Sequence, residues 1–121
     1  MNESMAGPVA SIPTRADLIA QGVLVDVPAQ PTHAAGITVP VAFSTHAWKL
    51  YIGDDPEGRL PPILTALQRA LTRAPHAESH VITGATTASG RAAVAREQLH
   101  AEVHPGDDGW PALLLMLPTD Y

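Results

Sequence analysis

His100, Glu102 and His104 alternate along one short stretch of a 121-residue chain. On an extended strand alternate side chains point the same way. The three therefore form a row of imidazole, carboxylate and imidazole, a donor set that suits zinc and related divalent ions. A working metal site also needs an enclosing pocket and groups that orient the rings, and an open strand face supplies neither. The plainer assignment is the solvated side of an amphipathic strand whose other side, Leu99, Ala101 and Val103, faces a core. No metal and no cofactor is expected, and the row stands only as the candidate set for a small metal-dependent enzyme.

Carboxylates gather in two other places. Asp54, Asp55 and Glu57 flank Pro56 ahead of Gly58, and Asp107 and Asp108 sit inside Pro105-Gly106-Asp107-Asp108-Gly109. The first group lacks the spacing and the terminal glutamate of a calcium loop. The second is what a hairpin turn favours, since Asp makes local hydrogen bonds and Gly accepts positive φ. These five acids are candidate partner-binding residues. Nucleophilic catalysis has no signature: cysteine is absent and no Gly-x-Ser-x-Gly elbow occurs. Ser44, Ser79 and Ser89 are accounted for as a helix cap, a strand entry and a loop residue. His76 and His80 straddle a helix exit, so their spacing does not unite them. The small-residue stretch Gly84 to Gly90 is expected to be a flexible tip; with no following Lys-Ser or Lys-Thr it is not a phosphate loop. No catalytic residue is assigned.

The elements that must position these residues follow from periodicity and punctuation. Residues 1–13 show no period and are expected to form a flexible arm ahead of one domain over 14–121. Thr14 caps a short helix with Asp17 at its third position and Leu18 and Ile19 inward, ended by Gly22; Val23 to Val27 is a short strand. Thr32 to Gly36 gives one helical turn. Ile37 to Phe43 is extended, and Pro40 within it argues for an edge or a bulge. Ser44 caps a helix through Ile52, with Ala47, Trp48 and Tyr51 on its inner face and Trp48 as a core anchor. After a loop over Asp54 to Gly58, a helix runs from Leu60 to Arg73 with Leu60, Ile63, Leu64, Leu67 and Leu71 as its stripe.

Ser79 to Thr83 is β-branched and strand-like. Arg91 to Gln98 has helical propensity but adjoins the hairpin, which favours an extension of the hairpin strand. The end of the chain, Gln98 to Pro118, is a β-hairpin. Its second strand, the unbroken apolar run Trp110 to Leu117, is covered on both faces. The sum is an α+β domain: a small, mainly antiparallel sheet built on the C-terminal hairpin and packed by two or three helices.

Composition narrows the class. The core rests on aliphatic residues, because only five residues are aromatic. Seven cationic side chains against twelve carboxylates leave a formal charge of −5 with no basic cluster, which disfavours direct nucleic-acid binding. The lack of cysteine fits a reducing compartment, no apolar run is long enough for a spanning helix, and no signal-type segment opens the chain; a cytoplasmic protein without membrane contact is expected.

Several strings resemble a family of short uncharacterised proteins of actinobacterial and related mobile elements (plasmids, integrative elements and phages). They are Thr14-Arg15-Ala16-Asp17, Gly22 to Val27, Ala35-Gly36 with Val39 to Ala42, Trp48, Gly58-Arg59-Leu60, and Pro105 to Gly109 with Leu117-Pro118. The resemblance implies a mobile-element setting and supplies no catalytic residues. With the acidic loops, it leads to the expectation of a small non-enzymatic protein-binding accessory protein that engages a host protein, for example as an anti-defence inhibitor of the anti-CRISPR kind.

Overall fold

A computed structural model describes residues 14–106 and 109–120. The arm over 1–13 and the turn acids Asp107 and Asp108 lie outside the described residues.

The first described unit is helix α1 (Arg15–Ala20), opened by a reciprocal cap in which the Thr14 hydroxyl accepts from Asp17 N–H and the Asp17 carboxylate accepts from Thr14 N–H. Strand β1 (Leu24–Asp26), helix α2 (Ala29–Ala34) and strand β2 (Val41–Ser44) follow. Ser44 closes β2 and also caps α3 (Thr45–Tyr51), accepting from Ala47 N–H at 3.1 Å. Helix α4 (Pro56–Arg73) is the longest element, and β3 (Ser79–Val81), β4 (His100–Pro105) and β5 (Pro111–Met116) complete the sheet. The order across the sheet is β1-β2-β5-β4-β3, antiparallel at every seam except the parallel pair β2 and β5. An α+β fold with a mainly antiparallel sheet built around the C-terminal hairpin is thus what the chain adopts.

The central place of β5 suits its apolar run: Ala112, Leu113, Leu115 and Met116 are buried and Leu114 is half-buried. On the first face Val41 and Phe43 of β2, Leu113 and Leu115 of β5 and Ala101 of β4 meet Ala47 and Tyr51 of α3 and the α4 stripe Leu60, Ile63, Leu64 and Leu67. Each such aliphatic side chain contributes roughly 1.5–3 kcal/mol when fully buried, so this single layer holds most of the fold's stability. Trp48 is half-buried and meets Phe43 edge to face, with ring centroids 5.4 Å apart.

Four sequence expectations are corrected. The stretch around Pro40 is not an edge: β2 begins at Val41, is buried at all four residues and lies between β1 and β5. Pro40 stands just outside the ladder, where its missing N–H costs nothing and its carbonyl still accepts from Leu113 N–H at 2.8 Å. Helix α4 begins at Pro56 rather than Leu60, because Asp55 caps it by accepting from Gly58 N–H at 3.1 Å. A Cβ at Gly58 would collide with that carboxylate, so the glycine belongs to the cap rather than to a loop.

Arg91 to Gln98 does not extend the hairpin. Arg91 grips Glu97 with two hydrogen bonds, at 2.7 and 3.1 Å, and closes a 3-10 turn over Ala95–Glu97. The Gly84 to Gly90 stretch is tethered rather than loose. Thr87 is buried, Ala88 N–H donates to Leu50 O at 2.8 Å, and the Arg59 guanidinium donates to the Thr86 and Thr87 carbonyls.

Candidate functional site

Strand alternation and register together decide which side chains share the second face of the sheet. One row crosses it as Asp26, Ala42, Leu114, Glu102 and Ser79; the next carries Leu24, Ser44, Met116, His100 and Val81, and His104 lies beside Ala112. His100, Glu102 and His104 therefore do share a face, and the Ser79 hydroxyl donates to Glu102. Successive members of such a row stand roughly 6.7 Å apart along a strand, which puts the two outer histidines about 13 Å apart, too far for one ion with bonds near 2 Å. Among the described residues no three His, Cys, Asp or Glu side chains are gathered so as to hold a metal ion.

α1 packs over the β1 side of this face and leaves a trough beside it. Two hollows of about 320 and 440 Å³ both include Leu18, Leu24 and Leu114, so they form one groove. Its floor is apolar: Leu24, Ala42, Ala112, Leu114 and Met116. Arg15, His104 and Pro105 close one end; Ser44, His46 and Asp120 close the other. Arg15 is held to Asp26 at 2.8 Å.

The Ser44, His46 and Asp120 group resembles a nucleophilic triad in residue types only. Ser44 Oγ donates directly to Asp120 Oδ2 at 2.6 Å, while His46 Nδ1 meets the other oxygen, Oδ1, at 2.8 Å. The acid thus sits between serine and histidine, whereas general-base activation requires the imidazole in the middle. Ser44 Oγ is further occupied as acceptor for Ala47 N–H, and Asp120 Oδ2 accepts from Leu117 N–H at 2.8 Å. Burial pushes the Asp120 carboxyl up, but the bonds from Ser44, Leu117 and His46 outweigh it and hold the group below its ordinary range. The arrangement is a clasp that ties the C-terminal turn Pro118–Asp120 to the start of α3. Sequence reasoning identified the Ser44 cap and missed Asp120, since nothing local links residues 76 positions apart.

A second polar cluster braces the 84–98 segment. Tyr51 Oη donates to Glu97 O at 2.6 Å, and burial raises the phenol. The Arg91 fork, together with Val94 N–H, pulls the Glu97 carboxyl down to about 2. Every one of these groups is satisfied within the fold, which marks the cluster as structural.

The acidic candidates separate. Asp54, Asp55 and Glu57 are exposed, and none enters an ion pair among the described residues. Asp55 doubles as the α4 cap. Beside them an apolar hollow of about 440 Å³ opens between α2 and α4, lined by Pro28, Pro31, Ala34, Glu57, Leu60 and Pro61 among others. His76 is exposed in the turn after α4, whereas His80 is buried on the first face of β3 opposite Ala101, so the two do not form a pair. No described helix is long and apolar enough to cross a membrane.

No family model, curated protein or solved structure matches this chain.

Proposed function

We propose that this protein is a non-enzymatic protein-binding accessory factor of a mobile element, acting in the cytoplasm on a host protein as an anti-defence inhibitor. One observation carries the reading: Glu57 lines an apolar hollow between α2 and α4, Asp54 and Asp55 are exposed just ahead of it in the chain, and none of the three enters an ion pair among the described residues. Apolar floor with one-signed rim is the anatomy of a steered protein contact, in which charge raises the encounter rate and the floor supplies the contact area. With a chain charge of −5, the complementary partner is a protein with a basic surface, such as one that itself handles nucleic acid. The resemblance of several strings to mobile-element proteins supports the setting.

The test is affinity capture from host lysate with the intact chain and with an Asp54→Asn, Asp55→Asn, Glu57→Gln variant. The expected result is one stoichiometric partner whose capture falls in the variant and in high salt, with a matching loss of protection when phage are plated on defence-proficient hosts. No partner under any condition, with unchanged plating, contradicts the proposal.

A further inference from the structure

Each end of the sheet is a strand with one open side, and the two are built differently. At β1 the ladder to β2 bonds through Val23, Val25 and Val27, since Thr45 N–H donates to Val23 O and Val27 N–H donates to Val41 O. Its outward backbone groups are those of Leu24, Asp26 and Pro28. Asp26 is an exposed acid held by Arg15, and Pro28 has no donor, two devices that keep an edge from pairing. β3 has neither. Its ladder to β4 bonds through Glu78, His80 and Ile82, with Val103 N–H donating to Glu78 O and Ile82 N–H to Leu99 O, each at 2.9 Å. Ser79, Val81 and Thr83 therefore turn their N–H and C=O away from the sheet; all three are exposed, and the stretch they belong to holds no Asp, Glu, Lys, Arg or Pro.

We infer that the β3 edge is a self-pairing surface, along which two copies of this chain join antiparallel with Val81 of one opposite Val81 of the other. Ser79-His80-Val81-Ile82-Thr83 is palindromic in character: valine at the centre, a buried residue on either side of it, and an exposed hydroxyl residue at each end. Pairing about Val81 sets Ser79 opposite Thr83 in both halves and lets the three outward residues of each copy exchange about six backbone hydrogen bonds. Val81, 47% exposed in the single chain, is covered by its own symmetry mate, and a serine facing a threonine is a favourable cross-strand pair. Glu78 falls opposite Gly84, so two chains of charge −5 meet with no like charges facing each other across the seam.

Symmetry decides between occupants. A foreign strand finds the same backbone groups, but an identical one also matches both halves of the palindrome and closes a two-fold contact. The seam is short and buries less than a stable dimer needs, so the pairing is weak and set by concentration. The edge shares no residue with the hollow between α2 and α4, and the pairing stands independently of the host-protein reading.

The test follows the full chain from micromolar to millimolar concentration by sedimentation equilibrium and by amide hydrogen exchange. The apparent mass is expected to rise from 12.7 kDa toward twice that value. Over the same range the Ser79, Val81 and Thr83 amides should exchange several-fold more slowly, while those of Leu24 and Asp26 on the β1 edge keep their rates. Val81→Lys and Val81→Glu, each checked for folding by circular dichroism, should stay monomeric alone and associate when mixed in equal amounts. A mass of 12.7 kDa at millimolar protein overturns the inference. So does a dimer whose β3 amides gain no protection, which would place the contact elsewhere, or protection that does not change with concentration, which would mean that the same chain covers the edge. Protection that appears only on adding host lysate would assign the edge to a foreign strand and overturns it too, as does a mixture of the folded Lys and Glu variants that remains monomeric.

Discussion

Asp120 accepts from Ser44, from Leu117 N–H and from His46, so a single carboxylate near the chain's end holds the start of α3 to the end of β5. Replacing it with alanine leaves the Ser44 hydroxyl and the Leu117 amide short of a partner and is expected to cost about 1–3 kcal/mol. The pH dependence has a definite sign. The folded-state carboxyl is held below its unfolded value, so its contribution is present above an unfolded value near 4 and disappears as pH falls through the folded one. Thermal melts of the native chain and Asp120→Ala should therefore converge in acid and separate at neutral pH; a constant gap would contradict the assignment. Glu97 behaves alike with a lower floor: its titration, followed by NMR, should move up from about 2 toward the ordinary carboxylate range in Arg91→Ala. His80 is the opposite case. It is buried opposite Ala101, no side-chain hydrogen bond among the described residues involves its ring, and an apolar replacement of similar size removes a polar group without orphaning a partner. His80→Leu is expected to melt at or above the native temperature, and a drop of more than a few degrees would show that the imidazole has a role.

At the scale of elements, α4 shows how a helix tolerates two interior prolines. Pro61 and Pro62 remove the amide donors that would reach the Glu57 and Gly58 carbonyls. Those two residues are exposed, so water can take the place of the missing bonds. Pro62→Ala should restore one bond and raise the melting temperature by a few degrees, on the order of 1 kcal/mol; a lowered temperature would mean that stiffening of the unfolded chain outweighs it. The same element shows what the residues disclose in advance. Its apolar stripe was legible because 3.6-residue periodicity is local, and so was the hairpin, whose alternation and turn chemistry lie within a few residues of each other. The Asp55 cap was misplaced because a carboxylate beside proline and glycine looks the same in a loop as at a helix start. The inner position of β2 was hidden by Pro40, which stands one residue outside the ladder. Arg91 to Gln98 could not be assigned from propensity, since its shape comes from an ion pair closing over six residues and from the Tyr51 hydroxyl donating to the Glu97 carbonyl. The Ser44 and Asp120 clasp had no local signal.

At the scale of the whole molecule the two faces of the sheet have different tasks. The first is filled by α3 and α4 and carries the core; the second holds a trough and a polar row. Adjacent residues of β5 read out the difference. Leu115 is fully buried on the first face, so Leu115→Asp strands a charge in the core and should abolish cooperative folding, a cost of several kcal/mol against a total of about 5–15. Leu114, half-buried over the trough, should tolerate Asp with a folded chain. Circular dichroism melts of the two variants decide the matter, and equal loss in both would mean that the second face is as closed as the first.

The proposed function has the protein act by contact at its exposed acids Asp54, Asp55 and Glu57 rather than by chemistry at its histidines. The most direct measurement sets two variants of the full chain side by side, Asp54→Asn/Asp55→Asn/Glu57→Gln and His100→Ala/His104→Ala. Both are assayed for stoichiometric capture of the host partner at fixed salt. The account predicts that the acid variant loses the partner while the histidine variant retains it. Loss in the histidine variant, with full retention in the acid variant, would contradict it and move the contact to the sheet face that carries His100 and His104.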